Sequence, residues 1–238
     1  ATISNTGTLT LPTTTGTIAL TSDIPEGQSS GTTTGDMQYW NGTTWVVVAA
    51  TPNEGAALQM ISGVPTWVGG TPPPPPPAVG DFRDGGIVFW VDPENNAHGL
   101  VCAIEDQSSG IQWYNGTNTT TGATGIAIGT GSANTAAIIA NQRATETAYA
   151  AGLARAYSGG GYTDWFLPSK EELNQMYLNR VTINSTATAN SGSNFTNNYY
   201  WSSTEYDDNY AWGQKFGTGS QGYGYKNGTF NVRAVRAF

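Results

Sequence analysis

YYWSSTEYDDNYAWGQKFGTGSQGYGYKNGTFNVRAVRAF, residues 199–238, decides how the chain is read. Trp201, Trp212, Phe216, Val232, Val235 and Phe238 recur at core-like intervals, while Tyr, Asp, Asn, Gly, Ser and Thr fill the segments between them. An apolar frame around turn-forming contents is how a rigid scaffold carries loops. Trp165, Trp201 and Trp212 are expected in the core rather than as sugar-stacking platforms, since each lies among apolar neighbours. Arg233 and Arg236 are expected on one face of a strand shared with Val232 and Val235, with Glu205 paired to one of them.

Working back from that stretch, residues 79–238 read as one head. GGIVFWVD (85–92) and HGLVCAIE (98–105) are expected as adjacent strands, and the Pro, Asn and Gly of PENNAHG supply the turn between them. The Ala-rich run 132–158 predicts the longest helix, with Ile138, Ile139, Ala148, Tyr149 and Leu153 on one face. LPSKEELNQMYLNR (167–180) predicts a second, in which Ser169 caps, Glu172 completes a capping box, and Leu173, Met176 and Tyr177 fall at i, i+3, i+4. Beyond it only strands and loops are expected. A strand pair, two helices and a long irregular β region make an α+β class.

The preceding residues divide differently. In 1–34, TGTLTLPTT and TGTIALTSD form an imperfect nine-residue repeat of Thr with alternating Leu or Ile, read as a β-rich stalk that needs partner chains to make a core. Residues 35–70 are read as a small β-hairpin module, with Asn41-Gly42 as its turn and Trp40, Trp45 and Trp67 as an aromatic cluster. TPPPPPPA (71–78) favours a polyproline II linker of about 3.1 Å per residue.

Composition excludes several functions. Charged residues are 11% of the chain, against about 25% in ordinary soluble domains. A net charge of -8 with nine Lys and Arg disfavours nucleic acid, and no run of 18 apolar residues predicts a membrane span. Cys102, the sole cysteine, can form no intrachain disulfide, and in GLVCAIE it reads as a small buried hydrophobe. A Ser-His-Asp triad would need His98, the only histidine, which sits in the turn-like NNAHG. The glycines of SGGGYTDW lack the strand-then-helix setting of a phosphate loop. No enzyme, no cofactor and no metal are expected.

GGIVFWVD, DWFLPSKEELNQMY, YWSSTE, AWGQKF and VRAVRAF closely resemble the Legionella collagen-like protein C-terminal domain family, over about the last 160 residues. The resemblance implies a C-type-lectin-like, formylglycine-generating-enzyme-like fold. The oxidase chemistry of the formylglycine-generating relatives does not carry over, because it relies on cysteine or copper and Cys102 stands alone. The Glu-Pro-Asn type loop by which C-type lectins hold calcium is missing, and DPENN (92–96) has those residues in another order.

Several members of that superfamily are variable proteins of diversity-generating retroelements, in which adenines of a template are miscopied. An AAC or AAT codon altered at its adenines reaches Tyr, Asp, Gly, Ser, Thr and others, but never Trp, Met, Gln, Lys or Glu. The resemblance therefore implies a variable ligand-binding surface at Tyr206, Asp207, Asp208, Asn209, Tyr210, Gly213, Gly217, Thr218, Ser220, Gly222, Tyr223, Gly224, Tyr225, Asn227, Gly228, Thr229 and Asn231. Trp201, Glu205, Trp212, Gln214, Lys215, Gln221 and Lys226 would be its frame. Tyr with Gly, Ser and Asn is also the mixture antibody loops use.

Two readings follow. One is a receptor-binding tip, a phage tail fibre or surface-displayed protein that is trimeric through its N-terminal region and recognises a host-cell surface protein or glycan. The other is an invariant bacterial adhesin or fibre subunit that binds glycans. Either would work on a virion or outside a cell.

Overall fold

A computed structural model describes residues 34–143 and 146–238. The stalk expected over 1–34 lies, but for its last residue, outside the described residues. The chain separates into two compact units between Pro75 and Pro76, inside the proline run.

In the first unit, β1 (Met37–Trp40) pairs antiparallel with β2 (Trp45–Val48), and β3 (Ala57–Ile61) with β4 (Val64–Val68). The Asn41-Gly42 turn holds four residues rather than two. Asn41 Oδ1 accepts from the N–H groups of Thr43 and Thr44, and Gly42 takes φ 98°. Ser62 and Gly63, both at positive φ, turn the second hairpin, a geometry that matches strand twist. Trp40 and Trp45 meet at 5.8 Å, while Trp67 donates its indole N–H to the Ala49 carbonyl instead of joining them.

The head is a mixed α/β unit with four α-helices among the described residues, not two. One sheet runs in the order β13 (Val235–Ala237), β7 (Gly99–Cys102), β6 (Gly86–Val91), β5 (Phe82–Arg83). The strand GIVFWV (86–91) is apolar throughout because both faces of this sheet are buried. Ile87, Phe89, Leu100, Cys102 and Val235 pack with Leu173 and Met176 of α3 (Lys170–Leu178) and Ile183 and Ala187 of α4 (Arg180–Ala189). Val88, Val101 and Ala103 pack oppositely, with Ile138 of α1 (Gly131–Gln142) and Ala150, Ala151 and Ala154 of α2 (Ala150–Ala156). Period-two alternation thus sorts successive residues into two cores.

The second sheet runs β11 (Gln221–Tyr225), β10 (Tyr210–Lys215), β9 (Tyr199–Glu205), β12 (Thr229–Val232), β8 (Ser108–Gln112). In β9, Tyr200 enters the α3/α4 core and Trp201 the α1/α2 core.

The helix expected over 132–158 is broken. Arg143 adopts φ 49°, and Asn115 Nδ2 takes the Gln142 carbonyl that a continuing helix would have used. Ser169 and Glu172 form the expected capping box. α4 follows directly, over RVTINSTATA, where β-branched and polar residues hide a helix anchored by Ile183 and Ala187. No helix among the described residues is long and apolar enough to cross a membrane.

Cys102 lies at the centre of the first sheet with no exposure, and burial pushes its thiol up to about 12. A thiol reagent at pH 8 is expected to titrate no cysteine in the native protein and one after unfolding in urea; a fast native reaction would mean that this sheet opens.

Candidate functional site

The β10–β11 hairpin presents two unlike faces. Its register pairs Tyr210 with Tyr225 and Trp212 with Tyr223 on one face, and Ala211 with Gly224 and Gly213 with Gly222 on the other. The small residues let the hairpin settle on Phe230, which stacks 3.9 Å from Trp201. A Cβ at Gly224 would lie 2.7 Å from Phe230, and one at Gly213 would lie 2.8 Å from the Tyr200 carbonyl.

The large residues gather on the outer face. Tyr206 and Tyr223 stack at 4.3 Å and 10°, Trp212 meets both edge-on, and Tyr210 lies 4.4 Å from Tyr225. Tyr206, Tyr223 and Tyr225 are 50%, 54% and 61% exposed. The Tyr225 phenol beside it pushes Tyr210 up to about 12, so that ring stays neutral at ordinary pH. Trp212 is therefore not a core residue but the half-buried floor of this cluster, with the Lys170 ammonium 3.9 Å above its ring. Further along the same face Gln214 is buried against α3, its amide donating to Asn174.

Asp207 shapes the adjoining turn, its Oδ1 accepting from the N–H groups of Asn209 and Tyr210. Asp208 is exposed. Asn209 in turn accepts from Asn118 and, through its carbonyl, from Lys226 N–H. Loop 114–120 thereby sits beside the turn, and Gly116, Thr117, Asn118 and Thr120 are exposed. The sequence reading missed this loop. Its signal, the turn-rich YNGTNTT, is ordinary for any loop, and its neighbour shows only through long-range contacts such as that of Asn118 with Asn209, 91 residues on.

The expected binding residues do not form one patch. Tyr206 to Tyr210, Tyr223, Tyr225 and the turn Asn227, Gly228, Thr229 share one end of the hairpin. Gly217, Thr218 and Ser220 form the turn at the other end, roughly 17 Å away for a six-residue strand. Gly222 is open, with nothing within 4 Å of an added Cβ. Gly213 is buried and Gly224 half-buried, both on the reverse face, and Asn231 is only 2% exposed, donating to Asp106 and Thr196.

The frame is held by two buried polar networks. Glu205 pairs with neither arginine but with Lys226 at 2.6 Å, both side chains being nearly unexposed. The same carboxylate accepts from the N–H groups of Thr121 and Gly122, and Lys226 donates to the Thr119 carbonyl. Arg233 and Arg236, three residues apart across a strand break, do not share a face. Arg233 is buried, bonded to Asp106 and stacked on Phe195; Arg236 pairs with Asp164 over Tyr162. Asp106 also accepts from Tyr200, whose phenol burial and that carboxylate push up to about 12. His98 is exposed in its turn, and no group of three His, Cys, Asp or Glu among the described residues could hold a metal ion.

The head is thus a mixed α/β domain that displays an aromatic surface on a polar-locked frame. Residues 102–236, more than half of the chain, match the Lcl C-terminal domain, and the chain belongs to that family. No curated protein matches it.

Lys226→Met leaves the Glu205 charge buried and unpaired, so a loss of about 3–5 kcal/mol is expected from urea unfolding. Tyr200 holds its proton more tightly folded than unfolded, where it titrates near 10, so its contribution is full below pH 10 and fades as the pH rises toward 12. The stability difference between wild type and Tyr200→Phe should shrink across that interval; a difference constant with pH would refute the assignment.

Proposed function

We propose that the head is the ligand-binding tip of a surface-displayed or virion protein, a C-type-lectin-like scaffold that recognises a host-cell surface molecule and performs no catalysis. The observation that carries this reading is the cluster of Tyr206, Tyr210, Trp212, Tyr223 and Tyr225 left open on one hairpin face. Grouped exposed rings mark interaction sites, and tyrosines are favoured there because they offer much area for little side-chain entropy. The fibre-like N-terminal sequence supports display on a trimeric stalk, where several weak contacts would add through avidity.

Diversification by a retroelement is the finer reading. The exposed positions carry residues reachable from an AAC or AAT codon, and the frame beneath them is fixed by buried pairs that do not involve them. Steric detail narrows the set, because Gly213, Gly224 and Asn231 are held by the core.

Sequencing codons 199–238 across the source population tests it. Substitutions are expected at 206–210, 217, 218, 220, 222, 223, 225 and 227–229, with Gly213, Gly224, Asn231, Trp201 and Arg233 constant. Even or absent variation would leave an invariant adhesin as the better account. Binding of the labelled full chain to host cells is expected to fall at least about tenfold in Tyr223→Ala, the loss typical of a central interface aromatic. Undiminished binding by that variant, folded, would place the binding surface elsewhere.

A further inference from the structure

We infer that the aromatic face takes a cationic protein segment, a loop or tail bearing arginine or lysine, rather than a neutral sugar. This rests on the reading of that face as the binding surface. Three observations converge on it.

The first is ring geometry. A pyranose stacks on a broad, flat platform, but here Tyr206 and Tyr223 cover one face of each other at 4.3 Å, and Tyr210 and Trp212 stand against Tyr223 at 80° and 89°, which breaks the open surface into short stretches. Phenol oxygens and the uncovered parts of the ring faces remain, a lining that suits a guanidinium or ammonium.

The second is that the cluster already seats one cation. Lys170, at the first turn of α3, places its ammonium 3.9 Å from the Trp212 ring centroid. Among the described residues no other cation lies over a ring of this cluster, so the outer rings have the same chemistry and no occupant among those residues.

The third is charge. The chain has 17 acidic and nine basic residues. Glu205, Asp106, Asp164 and Asp84 each hold a cation. The carboxylates bordering the rings, Asp207 and Asp208, receive only neutral donors, the backbone of Asn209 and Tyr210 and the Asn209 amide. A partner arginine would stack on the tyrosines while its fork meets these carboxylates.

Fluorescence anisotropy of the full chain with a labelled Arg-Gly repeat peptide, against Glu-Gly and Gln-Gly peptides of equal length, tests the inference. Saturable binding of the arginine peptide alone is expected. It should weaken at higher salt, fall at least about tenfold in Tyr223→Ala and several-fold in Asp208→Asn, and be unchanged in Glu94→Gln, which removes an equal charge from the exposed turn between β6 and β7. Thermal melts confirm that each variant is folded, and Tyr225→Ala substitutes if Tyr223→Ala is not. No saturable arginine-peptide binding, equal binding of the three peptides, or equal losses in Asp208→Asn and Glu94→Gln overturns the inference. A parallel array of neutral glycans separates the two levels. Glycan binding lost in Tyr223→Ala would keep the face and discard the cationic ligand, whereas host-cell binding indifferent to Tyr223→Ala would discard the face itself.

Discussion

The buried pair of Glu205 and Lys226 is the constraint on which the displayed surface depends. Glu205 ends β9 and Lys226 follows β11, so one 2.6 Å contact ties the start of the hairpin to its return. The remaining capacity of both groups is spent on Thr119, Thr121 and Gly122, which have no regular structure of their own. Such a pair adds little net stability over a well-packed apolar substitute, but removing either partner is costly, and that asymmetry favours a single arrangement of the loops. Glu172 acts likewise at the far end of the same loop, where its carboxylate accepts from Gly129 and Ser169. The irregular segment 114–130 is therefore positioned by acids from two elements distant in sequence.

Much of the fold was legible because its signals are local. The β6–β7 pair, the Ser169–Glu172 capping box and the apolar frame of 199–238 each arise from period or spacing alone. What stayed hidden depends on tertiary partners. Nothing within residues 132–158 announces that Asn115 will end α1, and the helix of RVTINSTATA is stabilised by packing that its composition does not advertise. The candidate site was legible as a region and not as a surface. Composition marked Tyr206, Tyr210, Tyr223 and Tyr225, but only strand register separates them from Gly213 and Gly224, and only the Asp106 network explains why Asn231 is buried.

Trp212 shows why residue type alone misassigns such positions. A tryptophan in an apolar motif is usually core. Here its place opposite Tyr223 puts it on the outer face, and Lys170 and the tyrosines cover part of it. The two residues that follow the same side of β10 and β11, Gln214 and Gln221, turn instead to α3, so the aromatic surface ends where that helix begins.

β11 lies at the outer margin of its sheet, with one row of peptide groups unmatched by any strand of the head. A long apolar margin would recruit further chains and seed fibrils. QGYGY is a poor template for such growth: it is five residues long, and glycine at alternate positions disfavours the extended state that another strand would need. The glycines that let the hairpin rest on Phe230 thus also disfavour the addition of a further strand along this margin.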